Sequence, residues 1–400
     1  MQLFVSIRPA ARILVASTAL SLVFGSAAMA ADANAVANRI KALYAKQGGE
    51  LSFSGVKANG ADIILEGASL KLPTVSEDET VLGDVTLQNV EDTPDGSYTI
   101  KQITVPDLVF NGKEEKNGRA EIKGLSMQNV FIPSETTKGP LDSMVLYDKT
   151  KIDEVHFGAP GKNGTTLKGI DVSLDTSNKT EKIGYIWNIQ NIDVTFEKGG
   201  KNPLAPFGMN TLDASLNSKG SWSPKTGDAS LDQLEIKAPE LGTIDITDNL
   251  GGYDLAFMEA VHKTQEAMSK ADADKDASGR AVLVLAEQLN LKNLTIRFNN
   301  DTLTQKLLDY FAKQQGTDAK TLAEQVKMMV PLLATQLKNP EFTQQLKTAA
   351  DKYFTDPKSL TISASPDQPE PVTFASIFAT ASLDPTKIIQ LLKISVDADN

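Results

Sequence analysis

The chain has 400 residues, 41% hydrophobic and 23% charged, with 40 Lys+Arg against 51 Asp+Glu, two His and no Cys. This is a globular composition whose length suits two domains better than one, and the missing thiols exclude disulfides, thiolate nucleophiles, Fe–S clusters and Cys-ligated zinc. The net charge of −11 opposes binding to a phosphate backbone, so nucleic acid is not an expected partner.

Residues 1–30 read as a cleaved signal peptide. Arg8 and Arg12 give a positive start, Ile13 to Phe24 is apolar, and Ala28-Met29-Ala30 has the small residues of a signal-peptidase site. The rival reading is a retained membrane anchor. Its apolar run is about 12–15 residues, short of the roughly 20 that a spanning helix needs. The leader holds two Arg and no acid, so its removal takes the formal charge from −11 to −13. Such a surface repels anionic headgroups. The expected location is the periplasm, or secretion beyond it, with no transmembrane span in the mature chain.

Residues 31–252 are expected to form a β-rich domain behind a short helix. The helix covers about Ala33 to Gln47, with Val36, Ile40, Leu43 and Tyr44 on one side. From Leu51 to about Ile246 the apolar period becomes two, as in Ala68/Leu70/Leu72, Ile170/Val172/Leu174 and Ile192/Val194/Phe196. Turn signals fall at Pro94-Asp95-Gly96, Asn111-Gly112, Asn117-Gly118, Asn163-Gly164 and Lys219-Gly220. A loose repeat sets a polar residue and then Gly, Asn or Gln before an alternating strand. Its copies are Glu66-Gly67, Lys123-Gly124, Lys168-Gly169, Gln190-Asn191, Asp232-Gln233 and Lys292-Asn293. The reading is a stack of hairpins, each opened by a small or amide residue where the chain turns into the sheet. Chance recurrence in a β-rich chain is the alternative.

Residues 253–400 are expected to be a mainly helical α+β region. Helices are predicted over Leu255–Lys270, Ala281–Leu289, Leu303–Gln314, Asp318–Lys338 and Pro340–Phe354, the last with Pro at its first position. Ala271–Gly279 reads as a polar connector. Short strands at Ser359–Ser363 and Lys393–Val396 bracket a Pro-rich loop and two short helices. The fold class is therefore α+β: an extended, mostly antiparallel, one-faced sheet with a helical C-terminal region that returns short strands to it.

Chemistry-bearing motifs are sparse. Glu259-Ala260-Val261-His262 with Glu266 could share a helix face, but a di-metal bundle needs a second such motif and two further Glu. A twelve-residue calcium loop starting at Asp274 would take ligands from Asp274, Asp276 and Ser278 and place Gly279 at its sixth position. Its twelfth position is Leu285, where a bidentate Glu belongs; a flexible acidic connector is the plainer reading. No nucleophile elbow, zinc-protease motif or penicillin-binding motif set is present, so no enzyme and no cofactor are expected.

The segment Val326-Lys327-Met328-Met329-Val330-Pro331-Leu332-Leu333 is too short to span a bilayer. Met328, Met329, Leu332 and Leu333 either fill a closed core or line a groove, or a lid over it. The helix–Gln47-Gly48-Gly49–strand opening, the repeated strand starts and Glu240-Leu241-Gly242-Thr243-Ile244-Asp245-Ile246 resemble the AsmA-like and YdgA-like envelope proteins of Gram-negative bacteria over about half the chain. This sequence is shorter than AsmA-like proteins and has a cleavable signal where they have a membrane anchor. The resemblance implies a periplasmic β-rich protein connected with outer-membrane or lipid homeostasis. The expected function is non-enzymatic, with a lipid or other apolar ligand held along a sheet groove. The alternative is a structural or interaction module with a closed core, no ligand and an envelope protein as partner.

Overall fold

The computed structural model describes residues 31–46, 48–72, 76–111, 119–135, 145–158, 164–196, 202–268, 275–367 and 372–399. The α+β expectation holds. Eighteen strands pair antiparallel, and eight α-helices, all but one beyond residue 253, complete the described residues. The chain divides into two compact units. The first comprises the described residues up to Ser177 together with Tyr185–Val194; the second comprises Asn178–Gly184 and the described residues from Thr195 onward. The change from strand to helix at residue 253 falls inside the second unit. No helix among the described residues is long and apolar enough to cross a membrane.

The first unit opens with α1 (Ala33–Lys46), whose first turn is capped by Asp32 accepting from the Ala35 amide at 3.0 Å. Val36, Ala37 and Leu43 are fully buried, so the predicted apolar face is the one that docks. Arg39 is buried with them and donates to the carbonyls of Pro133 and Ser134, each at 2.6 Å. Ten strands follow: β1 (Glu50–Ser52), β2 (Gly55–Asn59), β3 (Asp62–Leu72), β4 (Ser76–Asp92), β5 (Tyr98–Thr104), β6 (Leu108–Asn111), β7 (Arg119–Lys123), β8 (Ser126–Ile132), β9 (Lys149–Phe157) and β10 (Thr165–Asn178). Most of β11 (Lys182–Thr195) belongs here too. Side by side the order is β1 and β2, then β3, β4, β5, β8, β9 and β10. The pair β6–β7 prolongs β5–β8, and β7 also borders β9. Across these strands apolar residues meet in rows. Val90, Ile100 and Val130 are register partners and are all essentially inaccessible.

The recurring polar–Gly motif does not open hairpins. Each described copy in this unit lies within or between collinear strands. Glu66-Gly67 is a bulge in β3 opposite Asp84, whose carboxylate accepts from the Gly67 amide at 2.8 Å. Gly124 joins β7 to β8, and Gly169 sits inside β10. The register places both beside Asp153 of β9. Both have left-handed backbone (φ +67° and +61°), and a Cβ on Gly124 would lie 2.1 Å from the Asp153 carboxylate. The motif therefore marks a transverse seam where long strands bend without ending.

The second unit contains β12 (Thr211–Trp222), β13 (Ala229–Ala238), β14 (Gly242–Gly251), β15 (Asn290–Asn300), β16 (Ser359–Ala364), β17 (Val372–Thr373) and β18 (Ser395–Asp399). Its sheet runs β12–β13–β14–β15–β16–β18, with β17 extending β16 beside β15. The motif copies at Asp232-Gln233 and Lys292-Asn293 again coincide with register shifts. Lys219-Gly220, expected as a turn, is also such a shift, inside β12. The turn itself is Ser223–Asp228, closed by Ser223 N–H to Asp228 O at 2.8 Å and by left-handed Gly227. Pro94-Asp95-Gly96 does turn the chain, from β4 into β5. Residues 112–118 and Asn163 lie outside the described residues.

The helices of this unit are α2 (Leu255–Met268), α3 (Lys275–Gln288), α4 (Leu303–Gln315), α5 (Ala319–Ala334), α6 (Pro340–Tyr353), α7 (Phe374–Leu383) and α8 (Ile388–Leu392). Asp318 caps α5 by accepting from Thr321 N at 3.0 Å, and Asn339 caps α6 by accepting from Phe342 N at 3.1 Å. Pro340 occupies the first turn of α6, as predicted. Pro331 lies inside α5, removing one helical hydrogen bond. The chain then passes through a 3₁₀ turn at Thr335–Leu337 before left-handed Lys338 ends it.

Candidate functional site

The sheet of the second unit has one apolar face, and its register sets that face in rows. Ile244, Phe298, Leu360 and Ala398 align; Ile246, Ile296, Ile362 and Val396 form the next row, and Leu294 pairs with Ala364 beyond it. Helices cover the two ends of these strands. Ala349 and Tyr353 of α6 pack with Phe298, Leu360, Val396 and Ala398. Ile377 of α7 and Ile388, Leu391 and Leu392 of α8 pack with Leu291, Leu294 and Ala364. Between the two covers Ile244, Ile296 and Ile362 stay 39%, 37% and 43% exposed. Residues in the middle of a one-faced sheet are ordinarily covered, so this is an open apolar strip.

A cavity of about 480 Å³ lies beside the strip, above Phe298 and between α4, α5 and the end of α6. Helical spacing builds its walls: Leu303, Leu307 and Phe311 recur at i, i+4 and i+8 on α4, and Leu322, Val326 and Met329 at i, i+4 and i+7 on α5. Leu308 and Ala312 meet Leu322 and Ala323 and hold the two helices together. Tyr353 and Phe354 close one side, and no lining residue is charged. Burial runs from an exposed mouth at Phe311, Gln315 and Met329 to a deep end at Thr304, Leu308, Leu322 and Tyr353. The Thr304 and Tyr353 hydroxyls are hydrogen-bonded to each other at 2.5 Å. Burial pushes the Tyr353 phenol above its ordinary value, partly opposed by the Thr304 bond, so it stays protonated. The volume and composition are those of a site for an apolar molecule with one polar handle.

Of the four residues singled out on α5, only Met329 lines this cavity. Met328, Leu332 and Leu333 continue along the outside of the helix. With Met329 they are 67%, 68%, 56% and 54% exposed, respectively, so none is core. Apolar exposure is concentrated in this unit. Among the exposed large hydrophobics of the described residues only Val81, Val109 and Ile186 belong to the first, while the second adds Val282, Leu283 and Val284 of α3 and Phe378 and Leu383 of α7. Sequence reasoning missed Phe311, Val326 and the Thr304–Tyr353 pair. The spacing on α4 and α5 was a usable signal for the first two; the pair is non-local and left none.

The metal candidates fare differently. Asp274 lies outside the described residues. Asp276, Ser278 and Gly279 fall in the first turns of α3, which begins at Lys275, so the backbone there is helix where a calcium loop needs a turn at its glycine. The polar connector expected over Ala271–Gly279 is overturned from Lys275 onward: a continuous helix runs from there to Gln288, carrying the backbone hydrogen bonds through Gly279 instead of stopping at it. Glu259 is paired with Lys263 at 2.6 Å, and this bond lowers its carboxyl. His156 shares a hydrogen bond with Thr166 at 2.9 Å. Among the described residues no group of three or more His, Asp or Glu is placed to hold a metal.

A second, polar recess of about 440 Å³ lies at the β12–β13 turn, lined by Glu181, Lys182, Ser223, Asp228, Asn249 and Lys292 among others. Three of its four charged lining residues are paired. Lys292 is bonded to Asp228 and lowers its carboxyl, and Lys225 pairs with Glu181 at 3.1 Å. Trp222 donates from Nε1 to Tyr253 O at 2.5 Å and packs edge-on against that ring, tying the end of β12 to the segment between β14 and α2.

No curated protein matches the chain. A family model described only as an uncharacterized protein matches residues 235–399, a span that runs from β13 to β18 and contains every residue lining the apolar cavity.

Proposed function

We propose that this is a non-enzymatic envelope protein of the periplasm that holds a lipid or other apolar ligand in the cavity between α4, α5 and α6, beside the open isoleucine strip. The observation that carries the reading is the uncharged 480 Å³ cavity whose mouth adjoins the exposed Met and Leu side chains of α5. Closed-core modules bury such residues; these four are each more than half exposed. The leader-like residues 1–30 and the resemblance to AsmA-like and YdgA-like proteins supply the envelope context, and the reading assigns no catalytic residue.

The test is native mass spectrometry of the protein purified from a periplasmic extract, followed by organic extraction. A reproducible mass increment released as phospholipid or fatty acid is the expected result. A clean apo mass together with no binding of apolar dyes would overturn the ligand reading and turn the α5 surface into a candidate contact for an envelope protein.

A further inference from the structure

The deep end of the cavity narrows the ligand, and the inference rests on the proposed binding role. Thr304 and Tyr353 are 7% and 6% exposed, and their hydroxyls are 2.5 Å apart at the blind end of a lining that is otherwise apolar except for Gln315 and Gln325 nearer the mouth. Two hydroxyls carry two donor hydrogens. One closes the bond between them, and whichever oxygen gives it, the other hydroxyl keeps a hydrogen and lone pairs turned to the same small space. The Thr304 amide is already taken by Asn300 Oδ1 at 2.9 Å, and the amide before it, that of Leu303, by Leu241 O at 3.1 Å. The amide of Thr304 itself and the one before it are therefore not free to serve as donors there.

We infer that the Thr304–Tyr353 pair receives an uncharged oxygen of a single-chain lipid, either a hydroxyl, an ester or a protonated carboxyl. An ionised head is disfavoured at this end, because no cationic side chain lines the cavity and a carboxylate there would be desolvated without a counter-charge. The capacity agrees with one chain. At about 30 Å³ per methylene-sized unit, the share of one water in the liquid, 480 Å³ holds roughly sixteen such units. A two-chain phospholipid would have to leave its second chain outside the mouth, along the exposed side of α5. Phenol burial supports the protonated hydroxyl that the inference requires.

The experiment is displacement of the neutral dye N-phenyl-1-naphthylamine from the full purified chain by 1-dodecanol and by n-dodecane. The pair of substitutions Thr304→Val and Tyr353→Phe removes both hydroxyls at nearly constant shape and leaves no orphaned partner, so folding is retained; circular dichroism checks it. The ratio of the two displacement constants is expected to fall about fivefold toward dodecane in this double variant, the worth of one net neutral hydrogen bond. Thr304→Ser keeps the hydroxyl and is expected to keep the wild-type ratio. An unchanged ratio in the double variant, or a loss equal in Thr304→Ser, overturns the hydroxyl assignment while leaving the cavity reading in place. Absence of dye binding to a wild-type chain that also gives a clean apo mass overturns both.

Discussion

Arg39 is the residue whose removal should most clearly separate the first unit from the second. In Arg39→Met the apolar stem that packs beside Val36 and Leu43 is kept, and the two donors to Pro133 O and Ser134 O are lost. Each is a charge-assisted bond of 2.6 Å, of a class that contributes about 1.5–3 kcal/mol. Against this, Met escapes the desolvation that a buried guanidinium carries. The nearby Glu135 contributes little: it is 3.9 Å away and its side chain is 79% exposed. The net loss should be about 3 kcal/mol, or roughly 6–12 °C in Tm for a unit of this size. Urea unfolding followed by Trp187 fluorescence in a Trp222→Phe background reads the first unit alone, since Trp187 lies in β11 and Trp222 in β12. A shift worth less than about 1 kcal/mol at unchanged m-value would refute the view that this arginine pins α1 to the end of β8.

Three further outcomes are expected. Burial raises the Asp248 carboxyl above its ordinary range, opposed only in part by the Leu231 amide, so the native state takes up a proton more readily than the unfolded chain. Its charge costs stability above the folded pKa and the cost fades as pH falls through it; Asp248→Asn should raise the melting temperature at pH 7 and lose that gain as pH approaches the ordinary carboxylate value of about 4. An equal gain at both pH values in a fluorimetric melting series would contradict this. Gly252→Ala should cost more than about 3 kcal/mol, because the residue has φ +82° and its Cβ would lie 1.9 Å from Gln288 O, whereas Gly60→Ala, at φ +64° with open space around it, should cost about 1 kcal/mol in the same denaturant assay. Leu332→Glu on the outer side of α5 should change stability by less than about 0.5 kcal/mol, while Phe342→Ala, truncating a buried ring on α6, should cost about 3–5 kcal/mol in chemical unfolding.

The elements most readable from sequence were those with local causes. The apolar stripe Val36/Ile40/Leu43 predicted α1, and the Asn339-Pro340 start predicted α6 within a residue. Period-two alternation in Ile170/Val172/Leu174 predicted one face of β10. What failed was the meaning of glycine and amide residues inside strands. A Gly with left-handed backbone serves equally at a turn and at a bend within a long strand, and only the neighbouring strand, here Asp153 of β9 beside Gly124 and Gly169, decides which. The Lys219-Gly220 turn was misplaced for that reason, while Pro224 and Gly227, which do turn the chain, drew no notice. At the site, Met328, Met329, Leu332 and Leu333 stand out by hydropathy, but their exposure depends on which side of α5 packs against α4 and α6, and no local pattern encodes that.

The seam also governs which mispairings the first unit can tolerate. In a sheet of repetitive alternating strands, a slip of two residues keeps every apolar side chain facing inward and is the least costly error available. Here such a slip would carry the left-handed bend at Gly124 opposite Lys151 or Val155 and leave extended Ile122 or Ser126 opposite Asp153, so the bends of neighbouring strands would no longer coincide. The glycine and the aspartate act as notch and tooth, and they mesh in a single alignment. Strands of similar sequence can thus lie side by side without exchanging partners during folding.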